Sequence, residues 1–224
     1  MKISLIPITT LLFISHAFAE PLCATMTFES MTLTADGVKK QTQFQERFIR
    51  DTHSIWSERI IPSTTTPKEH EHYNSVEGKH EHNLNFATAG KWLIRDENQN
   101  IKFRFVRANE KKIIEPRDSE YGTLGFDGVW ETAYYLVDRN QLNKMTALKQ
   151  AAPQGAQWYE KKNATEFTRI LWDEKKQIPL KIESGYLDGT SMNKITLVIT
   201  APPAKLPWNN LAHYQTQAYE DLLD

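Results

Sequence analysis

The sequence predicts a mainly β protein of the α+β kind, built on an antiparallel sheet. Three observations carry this. Two Asp-Gly dipeptides, Asp36-Gly37 and Asp188-Gly189, stand between runs rich in Thr, Ile, Val and Phe. Both residues of such a pair tolerate positive φ, which is what a tight hairpin turn demands. In "IKFRFVRA", Ile101, Phe103 and Phe105 alternate with Lys102 and Arg104, the mark of a strand with one wet face. Apart from one ambiguous run, 38–51, helical spacing is found at 129–151 and in the tail 208–224.

The elements follow in order. "ATMTFESMTLT" (24–34) reads as a strand that ends at the first Asp-Gly turn. The next run, 38–51, is ambiguous: Thr42, Phe44, Glu46 and Phe48 alternate as in a strand, while Phe44 and Phe48 also share a helical face. The turn wants a partner strand, so strand is the reading. "SIWSERIIP" (54–62) is a third strand, stopped by Pro62. "STTTPKE" (63–69) is turn-like. "KWLIRD" and "IKFRFVRA" form a pair joined by "DENQN", and "KKIIEP" is a further short strand. The glycine-punctuated "YGTLGFDG" (121–128) is a loop. Residues 129–151 are expected to be helical in two pieces, with Asn140 capping the second and Leu142, Met145 and Leu148 on one stripe. A meander follows: strand 164–173, turn "EKKQ", strand 178–189, strand 191–200. "APPAKLP" breaks the chain, and Leu211, Tyr214, Ala218 and Leu222 predict a docked C-terminal helix.

The first nineteen residues read as a secretory signal: Lys2, an apolar core, then "AFA" with Ala17 and Ala19 at the small-residue positions and cleavage before Glu20. That predicts export to the periplasm and a single β-rich domain over 20–224. The apolar core is too short and too interrupted for a membrane span, and no other segment offers one. Cys23 lies close behind the cleavage point, but Leu22 stands where a lipidation motif needs a small residue. Cys23 is also the only cysteine, so no intramolecular disulfide forms. It is either an inert free thiol or an intermolecular link. Without Lys2 the mature chain carries 26 basic and 28 acidic residues, which argues against a nucleic-acid partner.

One stretch stands out chemically. "HEHYNSVEGKHEH" (70–82) places four of the seven histidines in two His-Glu-His triplets, His70/His72 and His80/His82, ten residues apart. In a strand, residues i and i+2 share a face, so each triplet presents two imidazoles together. Asn74 and Gly78 allow a turn between them. Paired across a hairpin, the four rings converge into a site for copper or zinc. Glu69, Glu71, Glu77 and Glu81 add negative charge, against Lys68 and Lys79. The alternative is a solvated polar loop that binds metal weakly or not at all. His53 and His213 are solitary. Met26, Met31, Met145 and Met192 are scattered, and core packing explains them better than copper(I). Asp118 and Glu120 share a face if extended, without any sign of a cleft. No nucleophile elbow, phosphate-binding glycine loop or His-Glu-x-x-His occurs, so the expectation is a binding protein with no organic cofactor rather than an enzyme. The six tryptophans fit a large core; an apolar cavity is the alternative.

Residues 167–199, "FTRILWDEKKQIPLKIESGYLDGTSMNKITLVI", resemble a strand meander of the LolA-like superfamily, which includes the lipoprotein carrier LolA, LolB and the amino-terminal domain of RseB. The matching positions are Leu171, Trp172, Asp173, Ile178, Pro179, Leu180, Lys181, Asp188 and Gly189. The resemblance implies a curved antiparallel sheet, a half-open β-barrel with covering helices and an apolar ligand cavity. It carries over no ligand residues. The sequence therefore supports periplasmic copper or zinc binding through the histidine triplets; alternatives are a carrier or sensor of lipid, acyl chain or lipoprotein, and an accessory subunit with an envelope protein partner.

Overall fold

A computed structural model describes residues 20–62 and 86–222. The histidine triplets, the signal sequence and the turn-like 63–69 segment lie outside the described residues.

Twelve strands among the described residues make one open sheet: β1 (Leu22–Leu33), β2 (Lys39–Arg50), β3 (Ser54–Ile60), β4 (Gly90–Arg95), β5 (Ile101–Arg107), β6 (Lys112–Glu115), β7 (Thr146–Leu148), β8 (Ala156–Lys162), β9 (Glu166–Asp173), β10 (Ile178–Tyr186), β11 (Ser191–Thr200) and β12 (Gln215–Ala218). Their order is β12-β6-β5-β4-β3-β2-β1-β11-β10-β9-β8-β7. Every pairing is antiparallel except β12 with β6. The ambiguous 38–51 run is strand β2, and Gly37 and Gly189 take φ of 81° and 77° in the two Asp-Gly turns. The 166–200 meander is the one that the LolA-like resemblance implies.

Side-chain alternation divides the sheet into two apolar faces. On β1, Ala24 and Met26 face one way and Cys23 the other. The register carries this across the strands: Met26 sits between Glu46 and Leu197, Ile55 opposes Leu93, and Leu93 opposes Phe103. This first face packs against helix α1 (Trp130–Tyr135) and the 121–126 loop, with Trp130, Tyr121 and Phe126 buried on it. The second face collects Cys23, Ile49, Trp56, Val106 and Ile113 beneath Leu206, Trp208, Leu211 and Tyr214 of the tail.

The tail corrects the expected C-terminal helix. It runs as a 3-10 turn (Pro207–Asn210), strand β12, then a second 3-10 turn (Glu220–Leu222). Leu211 and Tyr214 join the second face, whereas Tyr219 and Leu222 join the first. A helix presents one apolar stripe to one surface; these residues serve two surfaces, and an edge strand carries the chain between them.

The 129–151 stretch is helical only in part. Helix α1 ends at Leu136, which takes φ of 60°, and α2 covers only Arg139–Leu142. The cap is Asp138, whose carboxylate accepts the Asn140 N–H at 2.8 Å, not Asn140. Leu142 and Met145 do share a cluster, but Leu148 belongs to β7 and pairs with Trp158. Strand β8, in which Trp158 is buried opposite Leu171, has no clear strand signal, because Gln157, Glu160, Lys161 and Lys162 dilute its pattern.

Candidate functional site

The first face holds an apolar chamber of about 240 Å³. Seven successive strands line it, from Phe103 on β5 through Leu93, Ile55, Phe48, Met26 and Leu197 to Ile182 on β10. Laid flat, six inter-strand steps span about 29 Å, far wider than this chamber. The sheet therefore curls around it, and this face is concave. Ala133 and Leu136 at α1, with Gly125 and Phe126 of the loop, cover the opening. That loop is held by aromatic packing: Phe126 and Tyr121 lie 5.6 and 5.7 Å from Phe103 between ring centroids. The Tyr121 hydroxyl accepts the Phe103 N–H at 3.2 Å, and burial pushes its pKa above the usual phenol value.

Glu46, Ser57 and Lys91 line one side of the chamber and continue into a larger, more polar vestibule of about 460 Å³. The vestibule adds Arg59, Phe86, Leu124 and other residues. The guanidinium of Arg59 lies 3.5 Å from the Phe44 ring centroid, and Phe44 stacks on Phe28 at 4.6 Å. An apolar interior with a polar, charged mouth suits an amphiphile: the tail loses water inside while the head stays hydrated.

A second constellation braces the chamber. Arg50, only 4% exposed, reaches from the end of β2 past β1 and β11 to the β9–β10 turn. Its Nη2 donates to the Lys176 and Gln177 carbonyls at 2.7 and 3.0 Å, and Nη1 donates to the Tyr134 carbonyl of α1. The Tyr134 ring lies 4.2 Å from the guanidinium carbon. Burial lowers the Arg50 pKa, with Tyr134 and Tyr135 opposing, but an arginine stays charged. One side chain thus ties the covering helix to both arms of the curved sheet.

The sequence-derived candidates distribute as follows. His70, His72, His80 and His82 lie outside the described residues, which end at Pro62 and resume at Phe86, a residue that lines the vestibule. His53 and His213 are exposed. Among the described residues no group of three or more His, Cys, Asp or Glu can hold a metal ion. Glu120 accepts the Arg117 N–H at 2.7 Å, so its carboxylate caps a 3-10 turn rather than facing Asp118 across a cleft. Cys23 is buried at 3% exposure on the second face, and burial raises its thiol pKa; both favour an inert thiol over an intermolecular link. Met26 and Met145 pack as expected, whereas Met192 is 42% exposed. None of the six tryptophans lines the chamber; Trp56, Trp130, Trp158 and Trp172 are buried elsewhere in the core. Sequence reasoning missed Arg50 and the Glu46, Ser57 and Lys91 rim. It also assigned no role to the 121–128 loop, although Leu124 and Phe126 among its glycines were a signal that it turns inward.

No family model and no curated protein matches the chain. Solved structures similar to it include an uncharacterized conserved protein from Thermus thermophilus, at 10% identity over 89% of this chain and 90% of that one, with a TM-score of 0.41. A putative outer membrane lipoprotein-sorting protein domain from Vibrio parahaemolyticus matches at 11% identity over 85% and 89%, TM-score 0.32. A DUF1329 family protein from Desulfovibrio piger matches at 7% identity over 88% and 91%, TM-score 0.24. Among the described residues no helix is long and apolar enough to cross a membrane.

Proposed function

We propose that the chain is a periplasmic, non-catalytic carrier or sensor of an amphiphile, holding an acyl chain in the concave chamber and its head group in the vestibule. The observation that supports this reading is the chamber itself: about 240 Å³ lined mainly by Met, Phe, Ile and Leu, with Glu46, Ser57 and Lys91 at one side only. The LolA-like resemblance of residues 167–199 implies the same ligand class. Organic extraction of the mature protein followed by mass spectrometry is the test. Stoichiometric acyl-chain material is expected, reduced several-fold in a Leu197→Trp variant that fills the chamber. Extracts of the parent protein that hold no amphiphile, together with no uptake of added fatty acid, sink the reading.

The second reading is copper or zinc binding by His70, His72, His80 and His82, and the observation favouring it is the paired His-Glu-His spacing. Protein exposed to equal copper and zinc, then desalted, is expected to retain about one metal per chain at neutral pH. Replacing all four histidines by alanine removes it, and affinity falls below about pH 6 as the imidazoles protonate. Equal substoichiometric metal in parent and variant makes the segment a solvated loop. A partner that co-purifies only when residues 69–83 are present, without metal, points instead to an accessory role in an envelope complex.

A further inference from the structure

The charged residues lining the vestibule are Glu46, Glu58, Arg59 and Lys91, and they differ in what they are bound to. Strands β2 and β3 set Arg47 opposite Glu58 and, one residue along, Glu46 opposite Arg59. The first pair closes: Arg47 Nη1 lies 2.6 Å from Glu58 Oε1. The second does not. The Arg59 guanidinium sits on the Phe44 ring instead, 3.5 Å from its centroid, and Phe44 is itself held by stacking on Phe28. Among the described residues neither Glu46 nor Lys91 has an ion-pair partner.

The register separates these two open charges. Ser57 stands opposite both Phe48 and Lys91, so Lys91 is two strands from Glu46 and two residues along. That is roughly 12 Å between Cα positions on a flat sheet. Glu46, Ser57 and Lys91 all line the chamber as well as the vestibule, whereas Arg59 lines the vestibule and not the chamber. A ligand that runs from one space into the other passes an unpaired carboxylate and an unpaired ammonium, with a hydroxyl between them.

We propose that this mouth selects a zwitterionic head group, a primary amine and a phosphate a few atoms apart, as on an ethanolamine phospholipid. The proposal rests on the amphiphile reading above and names its head group. The ligand's ammonium donates to Glu46, and its phosphate accepts from the Lys91 ammonium and the Ser57 hydroxyl, all charge-assisted bonds. Arg59 adds positive charge on the phosphate side. A purely anionic head satisfies Lys91 but brings like charge up to Glu46. An uncharged head leaves both residues without a partner. A quaternary amine cannot donate a hydrogen bond to Glu46, which separates ethanolamine from choline heads. Selection therefore comes as much from what the wrong head leaves unpaired as from what the right one binds.

The test is calorimetric titration of the delipidated mature protein with single-chain lipids of one acyl length, each below its micelle concentration. The four are lysophosphatidylethanolamine, lysophosphatidylcholine, lysophosphatidylglycerol and monoacylglycerol. The ethanolamine lipid is expected to bind about tenfold tighter than the choline and glycerol lipids. Glu46→Gln is expected to remove that preference, and Lys91→Gln to weaken the three phosphate lipids several-fold relative to monoacylglycerol. Circular dichroism on each variant establishes that the sheet is intact. Equal affinity of the parent protein for all four lipids overturns the proposal and leaves the amphiphile reading standing. Failure of every lipid to bind sinks that reading and the proposal together. Tightest binding of the glycerol lipid overturns the zwitterion in favour of an anionic head, and a preference that survives Glu46→Gln overturns the assignment to this mouth. Phosphoethanolamine without a chain, if it binds as tightly as the lysolipid, overturns a lipid as the source of the head group.

Discussion

Arg50 shows how much one side chain can hold. Its guanidinium serves two carbonyls of the β9–β10 turn and one of α1, and no carboxylate shares in its described hydrogen bonds. Arg50→Met keeps the apolar stem but orphans those carbonyls. A loss of about 2–4 kcal/mol in urea unfolding is expected, with the covering helix freed first. Faster hydrogen exchange confined to 130–136 would show this local release, and uniform exchange would contradict it. Asp173, at 7% exposure, illustrates a titrating group in the same turn. Burial raises its pKa, but the N–H groups of Lys176 and Lys175 and the Lys176 ammonium at 2.9 Å outweigh this, and the net shift is downward. A depressed folded-state pKa stabilises above the unfolded value of about 3.9 and is lost as pH falls through the folded value. Asp173→Asn should therefore cost about 1 kcal/mol at neutral pH, and that cost should shrink as pH falls below the ordinary carboxylate range and through the lowered folded-state value. A pH-independent difference would remove the carboxylate charge as the cause.

At the scale of elements, the contact between β3 and β4 is a close one. A Cβ built on Gly90 would meet the Trp56 ring at 2.3 Å, and Trp56 is buried in the second-face cluster. Neither can yield without opening that face. Gly90→Ala is expected to destabilise by about 1–3 kcal/mol, measured as a lower urea midpoint with an unchanged slope. A neutral outcome would mean that Trp56 has room to rotate. The elements read correctly from sequence were those with a local signature: the Asp-Gly hairpins and the alternating β5. Those misread were decided by partners. Strand β12 exists because the β6 edge offers its backbone groups, and β7 because β8 does.

At the scale of the whole molecule, the curl of the sheet makes the chamber. Residues from Phe103 to Ile182 meet around one space although six strand spacings separate their strands. A ligand that fills it bridges the sheet to α1 and the 121–126 loop, and therefore binds the folded state only. Saturating amphiphile should raise the melting temperature by several degrees, since about 2.7 kcal/mol follows at a hundredfold excess over Kd. The Leu197→Trp variant should lose that response. An equal rise in parent and variant would locate the ligand outside the chamber.

Much of this protein was legible in residue order alone. Alternation identified β5, because a strand's two faces meet different surroundings and its sequence must record both; β2, ambiguous by pattern, was identified by the Asp-Gly turn that needs a partner strand. The 166–200 meander was legible because turn chemistry is local: Gly189 needs positive φ whatever surrounds it. The histidine spacing is likewise a property of the chain, and its chemistry stands as a sequence-level proposal. Three things waited for the tertiary structure. Arg50 looks like any strand-end arginine until the β9–β10 turn, more than a hundred residues away, arrives over it. The tail's apolar residues have helical spacing, yet they separate onto two faces of one sheet. The chamber has no motif, because curvature arises from how twelve strands pack and not from any one of them. Local geometry is written in neighbouring residues, but a cavity is the space left between distant ones, and only the assembled sheet encloses it.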